Sequence, residues 1–173
     1  MTIDPIMTAL KNGQPVVLRE LRPDDRERIA KAVRGLDAQT VYTRLFSHRK
    51  ELTEAGLDRI MRVDPQREVV IVTTTGAGAA EAIIGAGRCV VTADAPVRKA
   101  EIAFTVEEDY QGQGIAGRLL QVLAAVARDR GIAVFEADVL AENPSMLRVF
   151  ERTGWPLRKH TEGGVVHLEL ALS

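Results

Sequence analysis

The nine residues Tyr110-Gln111-Gly112-Gln113-Gly114-Ile115-Ala116-Gly117-Arg118 decide the fold of this chain. They follow a stretch, 99–106, that alternates like a strand, and they open a run, 114–130, in which apolar residues recur at helical spacing. Glycines let several backbone N–H groups converge, and the dipole of the helix adds partial positive charge at its first turn. The segment therefore predicts a strand, a turn that can cradle a pyrophosphate, and a helix.

Two other nucleotide-binding patterns fit this loop poorly. A Walker A loop needs Gly-Lys-Ser/Thr at the start of the helix, and this chain has Gly117-Arg118-Leu119. A dinucleotide fingerprint follows the first strand of a parallel sheet, whereas this loop follows consecutive strands with short connections. A further alternative is that the glycines only make a tight turn.

The three segments before the loop have the pattern of strands. Residues 68–73 form a β-branched apolar run, and 99–106 alternate in character. Between them, 81–92 carry Gly85 and Gly87, which suggest a bulge or a close backbone approach. The short connections predict an antiparallel meander.

The segments on either side of this core complete the predicted architecture. Asn12-Gly13 favours a hairpin turn near the start, and helices are expected from about 26, over 41–46 and from Thr53. After the loop come a helix, a strand over 132–139, a helix capped by Asn143, and a hairpin turning at 162–164. Because a strand–helix–strand unit makes a parallel crossover, we expect an α/β domain with a mixed, mostly antiparallel sheet.

The amino-acid composition excludes several classes of protein. The chain has 173 residues, enough for one domain over 1–173, and its 46% hydrophobic and 27% charged content excludes a disordered chain. With 23 basic against 24 acidic residues, it exerts no strong field on nucleic acid or a membrane surface. No apolar run is long enough to span a membrane and no secretory pattern opens the chain, so we expect a cytoplasmic protein.

The cysteine and the histidines do not suggest reactive or metal chemistry. The single cysteine, Cys89, cannot form an internal disulfide and lacks a histidine partner, so a small core residue is expected. The three histidines lie too far apart for a zinc module, and no metal site is predicted. His160 and His167 can face each other across the last hairpin, where a metal site would need at least one more ligand.

The loop, together with its surroundings, resembles a known family. Gln111-x-x-Gly114-x-Ala116 matches the acetyl-CoA loop of the GNAT N-acetyltransferase superfamily, and Asn143, Phe150 and Gly154-Trp155 resemble a later segment of it. Upstream, the chain is similar to the GNAT domain of Pat-type bacterial protein lysine acetyltransferases. That similarity lies in Leu10-Lys11-Asn12-Gly13, Leu21-Arg22-Pro23-Asp24-Asp25 and Tyr42-Thr43-Arg44-Leu45-Phe46.

The resemblance implies a site for acetyl-CoA beside a parallel strand pair. It places the pyrophosphate on the amides from Gln113 to Arg118, and the pantetheine arm along the third strand of the meander. Asn143 would lie near the pantetheine and the thioester. The implied cofactor-binding residues are Phe104, Thr105, Val106, Gln111, Gln113, Gly114, Ile115, Ala116, Gly117, Arg118 and Asn143.

The implied reaction is direct attack of an amine on the thioester, and it needs a base. A lysine ammonium with a pKa of about 10.4 loses its proton at a cost of roughly 4–5 kcal/mol at pH 7. Glu101 is the candidate, because glutamate is depleted in strands and lysine acetyltransferases carry a catalytic glutamate at the corresponding Glu-Ile-x-Phe position. Alternatively, Glu101 is solvated and paired with Arg98 or Lys99.

Other carboxylates and the missing acid leave the mechanism open. Glu136 and Asp138 compete with Glu101, while the acidic run 107–109 is expected to be a solvated turn. Many family members have a tyrosine where this chain has Phe150, which cannot protonate the leaving thiolate. We therefore name no general acid.

Three functions remain compatible with the sequence. The first is acetylation of protein lysines, and the second is acetylation of a small amine such as a polyamine, an amino acid or an antibiotic. The third is a non-catalytic acyl-CoA-binding module, which Phe150 favours and Glu101 disfavours. The sequence does not define the oligomeric state.

Overall fold

A computed structural model describes residues 3–34 and 53–172, and in this part of the chain eight strands form one sheet. The strands are β1 (Ile6–Ala9), β2 (Pro15–Glu20), β3 (Glu68–Thr75), β4 (Ala82–Ala93), β5 (Lys99–Val106), β6 (Val134–Leu140), β7 (Leu157–Glu162) and β8 (Val165–Ala171). The described helices are α1 (Arg26–Arg34), α2 (Glu54–Met61), α3 (Ile115–Asp129) and α4 (Pro144–Glu151). None of them is long and apolar enough to cross a membrane.

The sheet is mixed, as predicted. Its order is β1-β2-β3-β4-β5-β6-β8-β7, and β5 and β6 are the parallel pair among otherwise antiparallel neighbours. The predicted meander is β3-β4-β5, and α3 makes the crossover from β5 to β6. The mixed, mostly antiparallel sheet flanked by helices is therefore confirmed.

Among the described residues, the hairpin turn and the helix start that were predicted in the first third of the chain are confirmed. Asn12-Gly13 closes the β1–β2 hairpin, and Gly13 has a φ of 91°, in the left-handed region that glycine tolerates. Thr53 caps α2, because its Oγ1 accepts a hydrogen bond from the Gly56 N–H at 3.0 Å. The helix predicted over 41–46 lies outside the described residues.

Helices pack on both faces of the sheet. One face carries the larger core, in which α3 covers β3, β4 and β5 and contributes the fully buried Leu119, Leu120 and Leu123. On the other face, Ile29 of α1 and Leu57 of α2 pack against Val70 and Val72 of β3. Residues on one strand therefore alternate between two separate cores.

Gly85 and Gly87 of β4 mark a close approach, as predicted. A Cβ at Gly85 would lie 2.8 Å from the side chain of Ile115, and one at Gly87 would lie 2.9 Å from that of Leu123. The pairing register also shifts by one residue between Thr73 and Thr74. Helix α3 therefore lies against bare backbone of β4.

A buried ionic network joins the end of β2 to α1. Asp25 is fully buried and accepts two hydrogen bonds of 2.8 Å from the guanidinium of Arg19. It also accepts from the Arg22 N–H at 2.7 Å and from Arg28 at 3.0 Å, while Glu81 contacts Arg19 from the β3–β4 turn. Burial alone would raise the pKa of Asp25, but the hydrogen bonds from Arg19 and Arg22 hold it below its ordinary value.

We expect Asp25→Asn to lower the free energy of unfolding by about 3 kcal/mol, because it removes the buried carboxylate that pairs with Arg19 and leaves only Glu81 to balance this guanidinium among the described residues. Urea unfolding followed by circular dichroism measures this. Asp24→Asn is the control, since its side chain is 66% exposed and the change should stay within about 0.5 kcal/mol. Equal effects of the two substitutions would contradict the prediction.

The lowered pKa of Asp25 also predicts how the free energy of unfolding depends on pH. Because the pKa of Asp25 is lowered on folding, its contribution is full above the unfolded pKa of about 3.9 and is lost as the pH falls through the lower, folded value. The stability difference between the wild type and Asp25→Asn should therefore narrow below about pH 4. A stability difference that widens below this pH would contradict the prediction.

Candidate functional site

The site lies where β5 and β6 separate. The two strands pair only from Lys99 to Glu101 of β5, opposite Val134 to Glu136 of β6. Beyond this, β5 continues to Val106 and β6 to Leu140, each paired with its outer neighbour instead. One backbone edge of β5 therefore faces an opening rather than another strand.

A cleft of about 500 Å³ occupies this region on the α3 face of the sheet. Its walls are the end of β5, the loop before α3 with the first turn of that helix, one side of α4 and one residue of the β1–β2 turn. Its lining residues are Lys11, Phe104, Val106, Tyr110, Gln111, Gly112, Gly114, Ile115, Ala116, Gly117, Glu142, Asn143, Pro144, Ser145, Met146, Arg148, Val149 and Arg152. The volume lies in the usual range for small-molecule sites.

The glycine loop presents the first turn of α3 to this cleft. Gly112 and Gly114 have φ values of 79° and 90°, which few other residues adopt without strain. The N–H groups at the start of a helix have no carbonyl partner within it, and here they carry the positive end of the helix dipole. The Arg118 N–H, in contrast, already donates to the Gly114 carbonyl at 3.2 Å. Of the amides predicted to bind the pyrophosphate, that of Arg118 is therefore already used within α3, whereas the prediction for Gln113 to Gly117 stays a prediction.

The side chain of Gln111 fixes the loop to the strand before it. Its Nε2 donates to the Val106 carbonyl at 3.1 Å, at the last residue of β5. The glutamine of the motif thus ties the loop to the open end of the strand.

Two further predicted residues connect the loop to the β1–β2 hairpin. The Asn12 N–H donates to Oε1 of Gln113 at 3.1 Å, and Nη2 of Arg118 donates to the Ala9 carbonyl at 3.2 Å. Neither residue lines the cleft. These contacts hold the hairpin turn against the start of α3.

Asn143 and Phe150 belong to α4. Oδ1 of Asn143 accepts from the Met146 N–H at 3.3 Å, so this residue caps the helix as predicted and also lines the cleft. Phe150 is 1% exposed, and its ring centroid lies 6.0 Å from that of Phe104. Phe150 is thus a core residue behind the cleft wall.

The structure brings most of the predicted binding residues together, with three exceptions, and adds three cations. Thr105 faces the opposite side of β5, and its Oγ1 is buried without a hydrogen-bond partner among the described residues. Gln113 and Arg118 flank the cleft. The sequence analysis assigned no binding role to the cations of the cleft, Lys11, Arg148 and Arg152, because only the fold brings these distant residues together.

Glu101 lies on the other face of the sheet, at the last paired position before the strands separate. It is opposite Glu136 in the register. Partial burial and the negative charges of Asp138 and Glu136 raise the pKa of Glu101. The suggested pairing with Arg98 or Lys99 is wrong, because Arg98 contacts Asp94 and Lys99 contacts Glu169.

The last hairpin adds two histidines to this acidic face. His167 lies opposite His160 in the register, and their rings stack with centroids 6.1 Å apart, as predicted. Nδ1 of His167 lies 2.5 Å from Oδ1 of Asp138. Within residues 3–34 and 53–172, no group of three or more metal-ligating side chains comes together.

This fold and this cleft define an acetyltransferase architecture, and a family model agrees. Residues 36–155 match the model of the acetyltransferase (GNAT) family, so the chain belongs to that family. The family uses acetyl-CoA.

Two relatives and one solved structure are similar to most of this chain. The acetyltransferase Pat of Mycolicibacterium smegmatis is 35% identical over 152 residues, which cover 88% of this chain and 44% of Pat. The chain thus spans less than half the length of that relative. The acetyltransferase PA5475 of Pseudomonas aeruginosa is 30% identical over 138 residues, covering 80% of this chain and 73% of the relative. The solved GNAT domain of S. lividans PAT has a TM-score of 0.85 at 32% identity, with 96% of both chains covered.

Cys89 is a core residue, as predicted. It is 1% exposed on β4, and burial raises the pKa of its thiol to about 12. A thiol that is both shielded and protonated is a poor nucleophile.

We expect the thiol of native Cys89 to react with Ellman's reagent at pH 8 at least about 100-fold more slowly than that of the unfolded chain, because little thiolate is present. Absorbance at 412 nm with and without guanidinium chloride measures both rates. Equal rates would show that the thiol is accessible. Slow reaction would also allow released CoA to be followed with this reagent.

Proposed function

We propose that this chain transfers an acetyl group from acetyl-CoA to a primary amine, and that the amine is a lysine side chain of a protein. The observation that carries the proposal is the separation of β5 from β6 beside the free amides of α3. A strand edge without a partner and a helix start with unpaired donors are complementary to different parts of one elongated, anionic ligand.

The cleft fits acetyl-CoA part by part. The amides from Gln113 to Gly117 suit the pyrophosphate, since they are donors at the positive end of α3. The pantetheine arm contains amide groups, which can pair with the open backbone edge of β5 at Phe104, Thr105 and Val106, where the Val106 carbonyl already accepts one hydrogen bond from Gln111. Asn143, at the start of α4, lines the same cleft.

Glu101 is the proposed general base. The amine nitrogen attacks the thioester carbonyl, a C–N bond forms, the C–S bond breaks, and CoA leaves as its thiolate. The proton lost by the amine passes to Glu101 through a water molecule. A raised pKa makes this carboxylate a better proton acceptor. Since Phe150 is buried and has no hydroxyl, no acid is assigned.

The charge around Glu101 supports a cationic acceptor. Glu136 and Asp138 share its face of the sheet, and such an acidic surface attracts an ammonium group before it is deprotonated. A lysine side chain meets this requirement, and so does a polyamine.

The similarity to Pat supports the protein acceptor, although the matching part covers 44% of that relative. The small-amine acceptor and the non-catalytic binder stay as alternatives, and a cytoplasmic location stays a prediction. A binder leaves acetyl-CoA intact with every acceptor, which separates it from either enzyme.

We expect Glu101→Gln to lower kcat/KM by about 10²–10⁴, because the amine loses its proton acceptor. Release of CoA from acetyl-CoA is followed with two acceptor pools, denatured cell protein and mixed small amines. Glu169→Gln is the matched control, since Glu169 contacts Lys99 from β8 and should leave the rate within about threefold.

The outcomes separate the functions. Release with protein alone, lost in Glu101→Gln, supports the proposal, while release with small amines alone assigns the second acceptor class. Full activity of Glu101→Gln would refute the base assignment, with Glu136 and Asp138 as the next candidates. Intact acetyl-CoA with both pools would favour the binder.

The neighbouring charge predicts a shift in the pH profile. Activity should fall as the pH falls through the pKa of Glu101, because the protonated carboxyl accepts no proton. Asp138→Asn removes a negative charge that raises this pKa, so the acidic inflection of kcat/KM should move to lower pH. An inflection that stays in place or moves upward would contradict the role of Asp138.

A further inference from the structure

One cation lies directly above the start of α3. The Cε atom of Lys11 is 3.7 Å from the position that a Cβ on Gly114 would take, and Lys11 lines the cleft. Its side chain is exposed and makes no ion pair with the residues that the structure describes. Lys11 comes from the β1–β2 turn, about a hundred residues away in sequence from the glycine loop.

The turn that carries Lys11 is held in place on both sides. Leu10 is 4% exposed and belongs to the main core, and its N–H donates to the Gln14 carbonyl at 2.9 Å. The Asn12 N–H is bonded to Gln113, and Gln14 Nε2 donates to Oγ1 of Thr75 at 2.7 Å. The backbone of Lys11 is therefore fixed against the loop, and only its side chain is free to adjust.

This placement is electrostatically unfavourable without an anion. The start of α3 carries the positive end of a helix dipole, and a cation belongs at the opposite end of a helix. Arg148 and Arg152 of α4 add positive charge to the cleft, against the single acidic lining residue Glu142. An anion held between Lys11 and the amides of α3 would turn this repulsion into attraction.

We propose that Lys11 binds a phosphate of acetyl-CoA, so that the β1–β2 turn forms a second wall of the phosphate site. The proposal rests on the proposed function in one respect, namely that the cleft binds acetyl-CoA. It adds a side-chain contact from the beginning of the chain to the backbone donors of the glycine loop. The ammonium suits either the pyrophosphate or the 3′-phosphate, which share the same chemistry.

The test is direct binding of CoA by isothermal titration calorimetry, which needs neither turnover nor an acceptor. Lys11→Met should weaken binding about tenfold, as expected for the loss of one charge-assisted hydrogen bond at an exposed site. Lys11→Arg should stay within about threefold of the wild type, because it keeps the charge. Lys159→Met is the control: it removes an exposed cation of β7 that pairs with Glu151 outside the cleft, and it should bind as the wild type does.

A second arm identifies the phosphate. If the tenfold loss in Lys11→Met persists with 3′-dephospho-CoA, Lys11 contacts the pyrophosphate. If the loss disappears with that ligand, Lys11 contacts the 3′-phosphate. Either result supports the proposal.

Failure of the inference can be distinguished from failure of the proposed function. If the wild type binds CoA and Lys11→Met binds it equally well, the inference about Lys11 is wrong and the proposed function stands. If the wild type does not bind CoA at all, the proposed function and the inference fail together. Because Lys11 is exposed, its variants should keep the thermal midpoint of the wild type, which checks that they are folded.

Discussion

The rest of the site depends on the short contact between β5 and β6. Only three residue pairs among the described residues, from Lys99 to Glu101 of β5, join the meander to β6. Farther along, β5 stays paired with β4 and β6 stays paired with β8, so each strand follows its outer neighbour. Because strands twist relative to one another, two such sub-sheets can diverge after a brief contact. The backbone donors and acceptors left on β5 then become available to a ligand.

Helix α3, which borders this opening, is positioned by two glycines of β4 that have no side chain to keep it away from the sheet. Gly85 and Gly87 let Ile115 and Leu123 of α3 contact the backbone of β4, and larger residues there would push the helix outward. Gln111 ties the preceding loop to the last carbonyl of β5. The start of α3 is therefore directed at the place where the strands separate, with little freedom to shift.

Features that depend on a few consecutive residues were predictable from the sequence. The pairing of distant segments was not. Strand alternation, the Asn12-Gly13 turn and the cap at Asn143 are properties of a few consecutive residues, so the sequence reveals them. The loop was also recognisable, since its glycines and its place before a helix form a motif. The pairing of β5 with β6 over three residues depends on contacts between distant segments. So does the position of Lys11 next to the start of α3. No local pattern records such contacts, and so the sequence analysis assigned no binding role to the cations of the cleft.

The nearly neutral net charge hides local differences in charge around the gap between β5 and β6. Alternation along β5 places Glu101 on one face and Phe104 on the other. The face of Glu101 also carries Asp138, whereas the cleft on the opposite face collects cations such as Lys11. An anionic acetyl donor and a cationic amine would thus each meet a surface of opposite charge, and the gap between β5 and β6 is where the two surfaces meet. In the proposed reaction, the same feature that frees the backbone edge of β5 would therefore also bring two oppositely charged reactants together.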